Sequence, residues 1–215
     1  MTKKLFVSDF DGTITEKDFF LLYMDKFLGE KGRKYLADYR AENNPSYQFL
    51  NNVFAMAKIT DDQYQEILAE IIWDSYFPKF LKDLQAMQID HLILSAGVAF
   101  YIKDAIARQG LPEQRVIANS GEFRNGMIRL THDKSSPIFS ELYGIDKGKA
   151  IQLLRQEYDY IYFAGDSYPD IPAAEQADMA FAKKALRRHY EQEPSGRVRG
   201  FNDFREIADY LKTQG

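Results

Sequence analysis

Leu5-Phe6-Val7-Ser8-Asp9-Phe10-Asp11-Gly12-Thr13 is the stretch that decides the fold. Three apolar residues run into a polar turn, the pattern of a buried strand that stops abruptly. Its end carries two carboxylates, Asp9 and Asp11. Two later runs end the same way. His91-Leu92-Ile93-Leu94 opens into Ser95-Ala96-Gly97, and Tyr160-Ile161-Tyr162-Phe163-Ala164 opens into Gly165-Asp166-Ser167. Val116-Ile117-Ala118 and Met179-Ala180-Phe181-Ala182 are further short strand candidates. Helical spacing runs from about Pro78 to Met87, Ala99 to Gln109, Lys147 to Gln156, Ile171 to Gln176 and Phe201 to Leu211. Asn125-Gly126 predicts a hairpin over Gly121 to Arg129. Strands alternating with helices predict an α/β fold with a parallel sheet covered on both faces. In such sheets the ligand site lies at the carboxyl ends of the strands. If the three strands are neighbours, their polar ends meet at one edge.

Between Asp18 and Ser75 the texture changes. Phe19, Leu22 and Tyr23, and later Tyr64, Ile67, Leu68 and Ile71, recur at helical spacing without strand-like alternation. Asn43-Asn44-Pro45-Ser46 breaks the segment, with Asn44 or Ser46 as the expected helix cap. Thr60 and Gln63 stand at capping-box spacing. The expected organisation is a core of residues 1–15 and 76–215 with a helical insertion, residues 16–75. The aromatic residues of the insertion leave a homodimer open.

Composition narrows the function classes. The 215 residues are 45% apolar and 28% charged, as in a water-soluble globular chain. The formal net charge of -4 gives no electrostatic grip on nucleic acid or an anionic membrane, so neither is an expected partner. The absence of cysteine excludes disulfides, a thiol nucleophile and a thiolate-ligated zinc site. No run approaches the roughly 20 apolar residues of a membrane helix. The run before Asp9 is too short for a signal peptide, so a cytoplasmic location is the default. His91, His132 and His189 are scattered without metal-ligand spacing. Lys183-Lys184 and Arg187-Arg188 read as a solvated helix face.

Asp9 and Asp166, brought together in a cleft, would repel each other unless a cation lay between them. Hard oxygen ligands favour Mg2+, which shares a substrate phosphate oxygen. A carboxylate can also attack phosphorus and form an acyl phosphate. Asp11, two residues on, would face the same side and serve as acid and then base. Phosphoryl transfer needs donors around the equatorial oxygens. Ser95, the backbone of Ala96 and Gly97, and Lys147 at a helix start are the candidates, with Lys149 as the rival lysine. Gly144 to Ala150 superficially suggests a P-loop but has the wrong spacing and no Ser or Thr after its lysine.

Asp9-Phe10-Asp11-Gly12-Thr13, Ser95, Lys147 and Gly165-Asp166-Ser167-Tyr168-Pro169-Asp170 stand in the order of the four motifs of the haloacid dehalogenase (HAD) superfamily. The chain resembles that superfamily over nearly its whole length. The helical insertion after the first motif resembles the cap of the phosphoserine-phosphatase-like branch. The first motif is also similar to that of the branch acting on a methylthiopentenyl phosphate. The resemblance implies a Rossmann-like core and a phosphatase acting on a small phosphorylated metabolite. It makes Asp9 the nucleophile and a metal ligand, and Asp11 the acid/base with its carbonyl on the metal. Asp166 becomes the second metal carboxylate, Ser95 and Lys147 hold the phosphate, and Asp170 and Ser167 support them.

Ser167 and Pro169 replace the glycine and asparagine usual in phosphoserine phosphatases. Asp18 falls near the cap glutamate of those enzymes and Asn52 near the cap arginine. No arginine lies between Arg40 and Arg108. A substrate carboxylate would lack a bidentate partner there, which disfavours phosphoserine. A phosphotransferase with an acceptor alcohol in place of water, and a non-catalytic phosphate-binding module, are the alternatives.

Overall fold

The computed structural model describes residues 2–42 and 46–214. The chain opens with β1 (Lys4–Ser8) and enters a helical stretch: α1 (Phe19–Tyr23), a π-helical turn (Met24–Leu28), α2 (Gly29–Glu42), α3 (Phe49–Phe54) and α4 (Asp61–Ala69). It continues through α5 (Phe77–Ala86), β2 (Ile89–Val98), α6 (Ala99–Arg108) and the hairpin β3 (Arg115–Arg124) and β4 (Met127–Thr131). A small ribbon, β5 (Phe139–Ser140) and β6 (Gly144–Ile145), leads to α7 (Lys147–Leu154), β7 (Tyr160–Gly165) and α8 (Ile171–Gln176). The chain closes with β8 (Met179–Ala182), α9 (Lys184–Gln192), β9 (Val198–Gly200) and α10 (Phe204–Lys212).

The main sheet runs β4-β3-β2-β1-β7-β8-β9, parallel except for β4. This is the mixed α/β, mostly parallel, Rossmann-like architecture that the resemblance implies. β1 sits between β2 and β7, so the three strands with polar ends are adjacent. Alternation along β1 splits its side chains between two cores. Leu5 and Val7 join Leu92, Ile151, Phe163 and Ala173 on one face, while Phe6 joins Phe80 and Phe204 on the other. Phe6 meets the Phe80 ring edge-on at 4.8 Å. Each such buried side chain stabilises the fold by about 1.5–3 kcal/mol, and burial on both faces is why the strand is apolar at consecutive positions.

The chain leaves this layer at Thr15 and returns at Trp73, and these two residues form an antiparallel bridge. The Glu16 N–H donates to the Ile72 carbonyl and the Asp74 N–H to the Ile14 carbonyl. Thr60 and Gln63 form the expected reciprocal cap of α4. Asn51 donates to the Leu130 carbonyl and accepts its N–H, fixing α3 against β4.

Several local expectations change. Ser46 does not cap α3; its Oγ accepts the Gln48 N–H ahead of the helix, and Asn44 lies outside the described residues. The last helix starts three residues late, because Asp203 caps it and the Phe201 N–H is taken by the Ala182 carbonyl. The basic run is not simply solvated. Lys183 turns inward to the Thr13 carbonyl and Asp74, and Lys184 reaches Asp166. Among the described residues no helix is long and apolar enough to cross a membrane.

Candidate active site

The carboxyl ends of β1, β2 and β7 converge as the adjacency requires. Asp9 continues β1 by one residue, its N–H donating to the Ala164 carbonyl of β7 at 2.8 Å. Phe10 then turns the chain: its carbonyl accepts the N–H groups of Thr13, Ile14 and Thr15. Gly12 sits at φ +81°, and a side chain there would collide with Asp166, 2.3 Å from its Oδ2. Glycine therefore lets the loop lie against the second carboxylate. Thr13 Oγ1 spans the two acids, 3.3 Å from Asp9 Oδ2 and 3.4 Å from Asp166 Oδ1.

Lys147 opens α7 and is buried. Its ammonium lies 2.6 Å from Asp9 Oδ1 and 2.5 Å from Asp170 Oδ1. Lys149 stays at the surface, with its backbone N–H capped by Asp146. Asp170 is fully buried, and its Oδ2 accepts the N–H groups of Asp166 and Ser167 and the Ser167 hydroxyl. With Lys147 on the other oxygen, Asp170 is occupied as a brace for the turn after β7. Ser95 is buried where the β2–β3 register shifts, and its Oγ accepts the Gly97 N–H at 2.9 Å. That N–H is engaged within the end of β2 itself, which leaves the Ser95 hydroxyl hydrogen as a donor for a ligand.

Oxygen atoms of Asp9, Asp166 and Asp170 lie within 4.8 Å of one another. Burial raises the pKa of Asp9, reinforced by Asp170 and Asp166 and opposed by Lys147. Burial, then Asp170, pushes Asp166 up to about 6, against the pull of Lys184. Lys147 keeps its charge: burial works against it, but Asp170 and Asp9 outweigh burial and raise its pKa. Two buried carboxylates held close, all hard oxygen donors, suit a divalent cation, which would keep both ionised.

Asp11 takes its hydrogen bonds from other elements. Its Oδ1 accepts the Phe19 N–H at 2.8 Å and its Oδ2 the Tyr101 hydroxyl at 2.5 Å. Burial, then repulsion from Asp18, lifts its pKa to about 7 although both hydrogen bonds pull it down. Asp18 precedes α1; burial raises its pKa, with Lys184 and Arg40 opposing. Asn52 is exposed on α3 and its amide donates to Tyr35, within the helical segment.

Three contributors went unseen in the sequence. Tyr101 holds Asp11. Lys184 lies 3.2 Å from Asp166 and donates to the Gly12 and Glu16 carbonyls. Asn119, buried in β3, donates to the Ala96 carbonyl at 2.7 Å and to that of Tyr143. Asn119 had a signal, as a polar residue ending the run Val116-Ile117-Ala118.

The family model for haloacid dehalogenase-like hydrolases matches residues 6–175. The 2-hydroxy-3-keto-5-methylthiopentenyl-1-phosphate phosphatase of Lysinibacillus sphaericus (strain C3-41) is 26% identical over 200 residues, 88% of this chain and 86% of the relative. Its counterpart in Bacillus pumilus (strain SAFR-032) is 28% identical over 193 residues, 86% and 81% of the two chains. A phosphoserine phosphatase solved in apo form superposes with a TM-score of 0.72 at 18% identity, covering 97% of this chain and 98% of that one. A phospho-aspartyl intermediate analogue of phosphoserine phosphatase gives 0.74 at 17% identity over 98% and 99%. The chain belongs to the haloacid dehalogenase-like hydrolase family. The curated relatives it matches are named as phosphatases, and its fold is that of the phosphoserine phosphatases.

Proposed function

We propose that this chain is a Mg2+-dependent phosphomonoesterase that cleaves a small phosphorylated metabolite through a phospho-aspartate on Asp9. The observation that carries this proposal is the buried meeting of Asp9, Asp166 and Lys147 at one sheet edge, with the second acid, Asp11, two residues from the first. Asp9 and Asp166, with the Asp11 carbonyl, would hold the cation. When bound, it supplies positive charge that offsets the two carboxylates and the phosphate.

Asp9 attacks phosphorus in line, a new P–O bond forms to its carboxylate, and the ester P–O bond breaks with its electron pair on the leaving oxygen. Asp11 delivers a proton to that oxygen; its pKa, raised to about 7, puts both its acid and its base form within reach near neutral pH. Asp11, now a carboxylate, takes a proton from water, which attacks the phosphorus and frees Asp9. Lys147 and Ser95 hold the equatorial oxygens, and the Asn119 bond to Ala96 fixes the end of β2 that carries Ser95. Residues 16–75 act as a cap over the site, hinged at the Thr15–Trp73 bridge, and exclude bulk water.

The name of the curated relatives, for a 2-hydroxy-3-keto-5-methylthiopentenyl-1-phosphate, supports a phosphorylated hydroxy-keto compound rather than phosphoserine. The exposed position of Asn52 supports the same choice, since it offers a substrate carboxylate no cation. A screen of phosphorylated metabolites, reading free phosphate with Mg2+ and with a chelator, tests the proposal. It predicts release from a small set of esters, abolished by chelation, restored by Mg2+ and absent in Asp9→Asn. Release that persists without divalent metal would contradict it, and turnover of phosphoserine would overturn the choice of substrate.

A further inference from the structure

Tyr101 and Phe19 close a three-cornered contact around Asp11. Tyr101 is the third residue of α6, which follows directly on the end of β2 that carries Ser95, and Phe19 is the first residue of α1. The two rings stack at 4.2 Å with planes only 9° apart. The Tyr101 hydroxyl donates to Asp11 Oδ2 at 2.5 Å, and the Phe19 N–H donates to Oδ1 at 2.8 Å. Tyr101 is almost wholly buried. Room for the hydroxyl exists only because residue 97 has no side chain. A Cβ on Gly97 would stand 1.8 Å from the tyrosine oxygen and 2.8 Å from Asp11 Oδ2.

We infer that Tyr101 is a positioning residue for proton delivery by Asp11, aiming its carboxyl group and stabilising the carboxylate left once the proton has gone. The inference rests on the phosphatase proposal above. In the first step the Asp11 O–H bond breaks, the leaving alcohol gains the proton, and the ester P–O electron pair moves onto the alcohol oxygen. Asp11 acquires negative charge during that step. A phenolic donor on a carboxylate makes a shorter and stronger hydrogen bond than on the neutral acid. The Tyr101 bond therefore strengthens as the proton leaves, which favours the transition state over the ground state. The same bond works slightly against Asp11 as a base in the second step. Tyr101 should thus matter most when the leaving group needs a proton.

Leaving-group chemistry gives the test. β-Glycerophosphate expels an alkoxide and depends on the acid; p-nitrophenyl phosphate expels a stabilised phenolate and does not. Tyr101→Phe keeps the ring stacked on Phe19 and removes only the hydroxyl. It should lower kcat on β-glycerophosphate roughly tenfold or more, the scale of one hydrogen bond to a charged group, and change kcat on p-nitrophenyl phosphate by less than about threefold. In an Asp11→Asn background the same change should have no further effect on either ester, because its route is gone. Equal losses on both esters, or losses that persist in the Asp11→Asn background, would mean a merely structural role and overturn the inference. A wild-type chain that frees phosphate from neither of these esters nor any metabolite of the screen would overturn the phosphatase proposal and this inference with it. An active wild type with a uniform Tyr101→Phe effect removes the inference alone.

Discussion

Lys147 shows how narrowly the site is balanced at the level of single side chains. One buried ammonium serves two buried carboxylates, Asp9 and Asp170, at 2.6 and 2.5 Å. Such a cluster adds little net stability, since desolvation offsets most of the attraction, but removing one partner leaves charge uncompensated. Lys147→Met, close in length and apolar, should therefore destabilise the chain by about 3–5 kcal/mol, read as a lower urea midpoint. An unchanged midpoint would mean that the carboxylates are neutral or paired otherwise. The residues legible from sequence, Asp9, Asp11 and Asp166, are those whose chemistry is unusual at a strand end. Tyr101 and Lys184 were not, because nothing local distinguishes a helical tyrosine or a surface lysine. Their contacts depend on where α6 and α9 emerge from the sheet. Lys184 even takes a positive φ of 43°, a conformation no pattern rule assigns to lysine.

At the level of elements, strong local signals became structure and weak ones did not. The Asn125-Gly126 turn has φ of 52° and 76°, as a two-residue hairpin demands, and it joins β3 to β4. The Thr60 and Gln63 pair caps α4. The continuous apolar runs at β1, β2 and β7 mark strands buried on both faces. By contrast, β9, with the sequence Val198-Arg199-Gly200, is an edge strand whose apolar content is a single valine. Two-residue β5 and β6 carry no periodicity at all. These pieces are held by tertiary partners: Ala180 donates to the Arg197 carbonyl beside β9, and Asn119 ties Tyr143 beside β6. In the basic run, Arg187 and Arg188 stay exposed as expected, while the end of β8 delivers Lys183 and Lys184 to the edge that carries Asp166.

Across the whole molecule, the two cores on either face of the sheet bind the strands into one unit, and one buried titratable group reports on it. His91, packed near Phe6 and Phe77, places Nε2 2.9 Å from Ser8 Oγ and Nδ1 2.7 Å from Gln114 Oε1. Burial pushes its pKa down to about 4, with the Gln114 bond pulling the other way. The folded state therefore prefers the neutral ring, and the unfolded chain binds the proton first. The resulting stability is fully present above about pH 6.5 and is lost as pH falls towards 4, by roughly 3 kcal/mol at most. Urea titrations across that range should show a steeper loss for the wild type than for His91→Gln, and parallel curves would contradict this. Asp9 stands on the same sheet, one residue beyond β1, and the catalytic proposal depends on its side-chain carboxylate oxygen bearing phosphate during turnover. Quenching the working enzyme with tritiated borohydride reduces an acyl phosphate to an alcohol, and peptide mapping then locates the label. The account predicts tritium at residue 9 alone, requiring both substrate and Mg2+. Label at another residue, or none under conditions of rapid turnover, would contradict it.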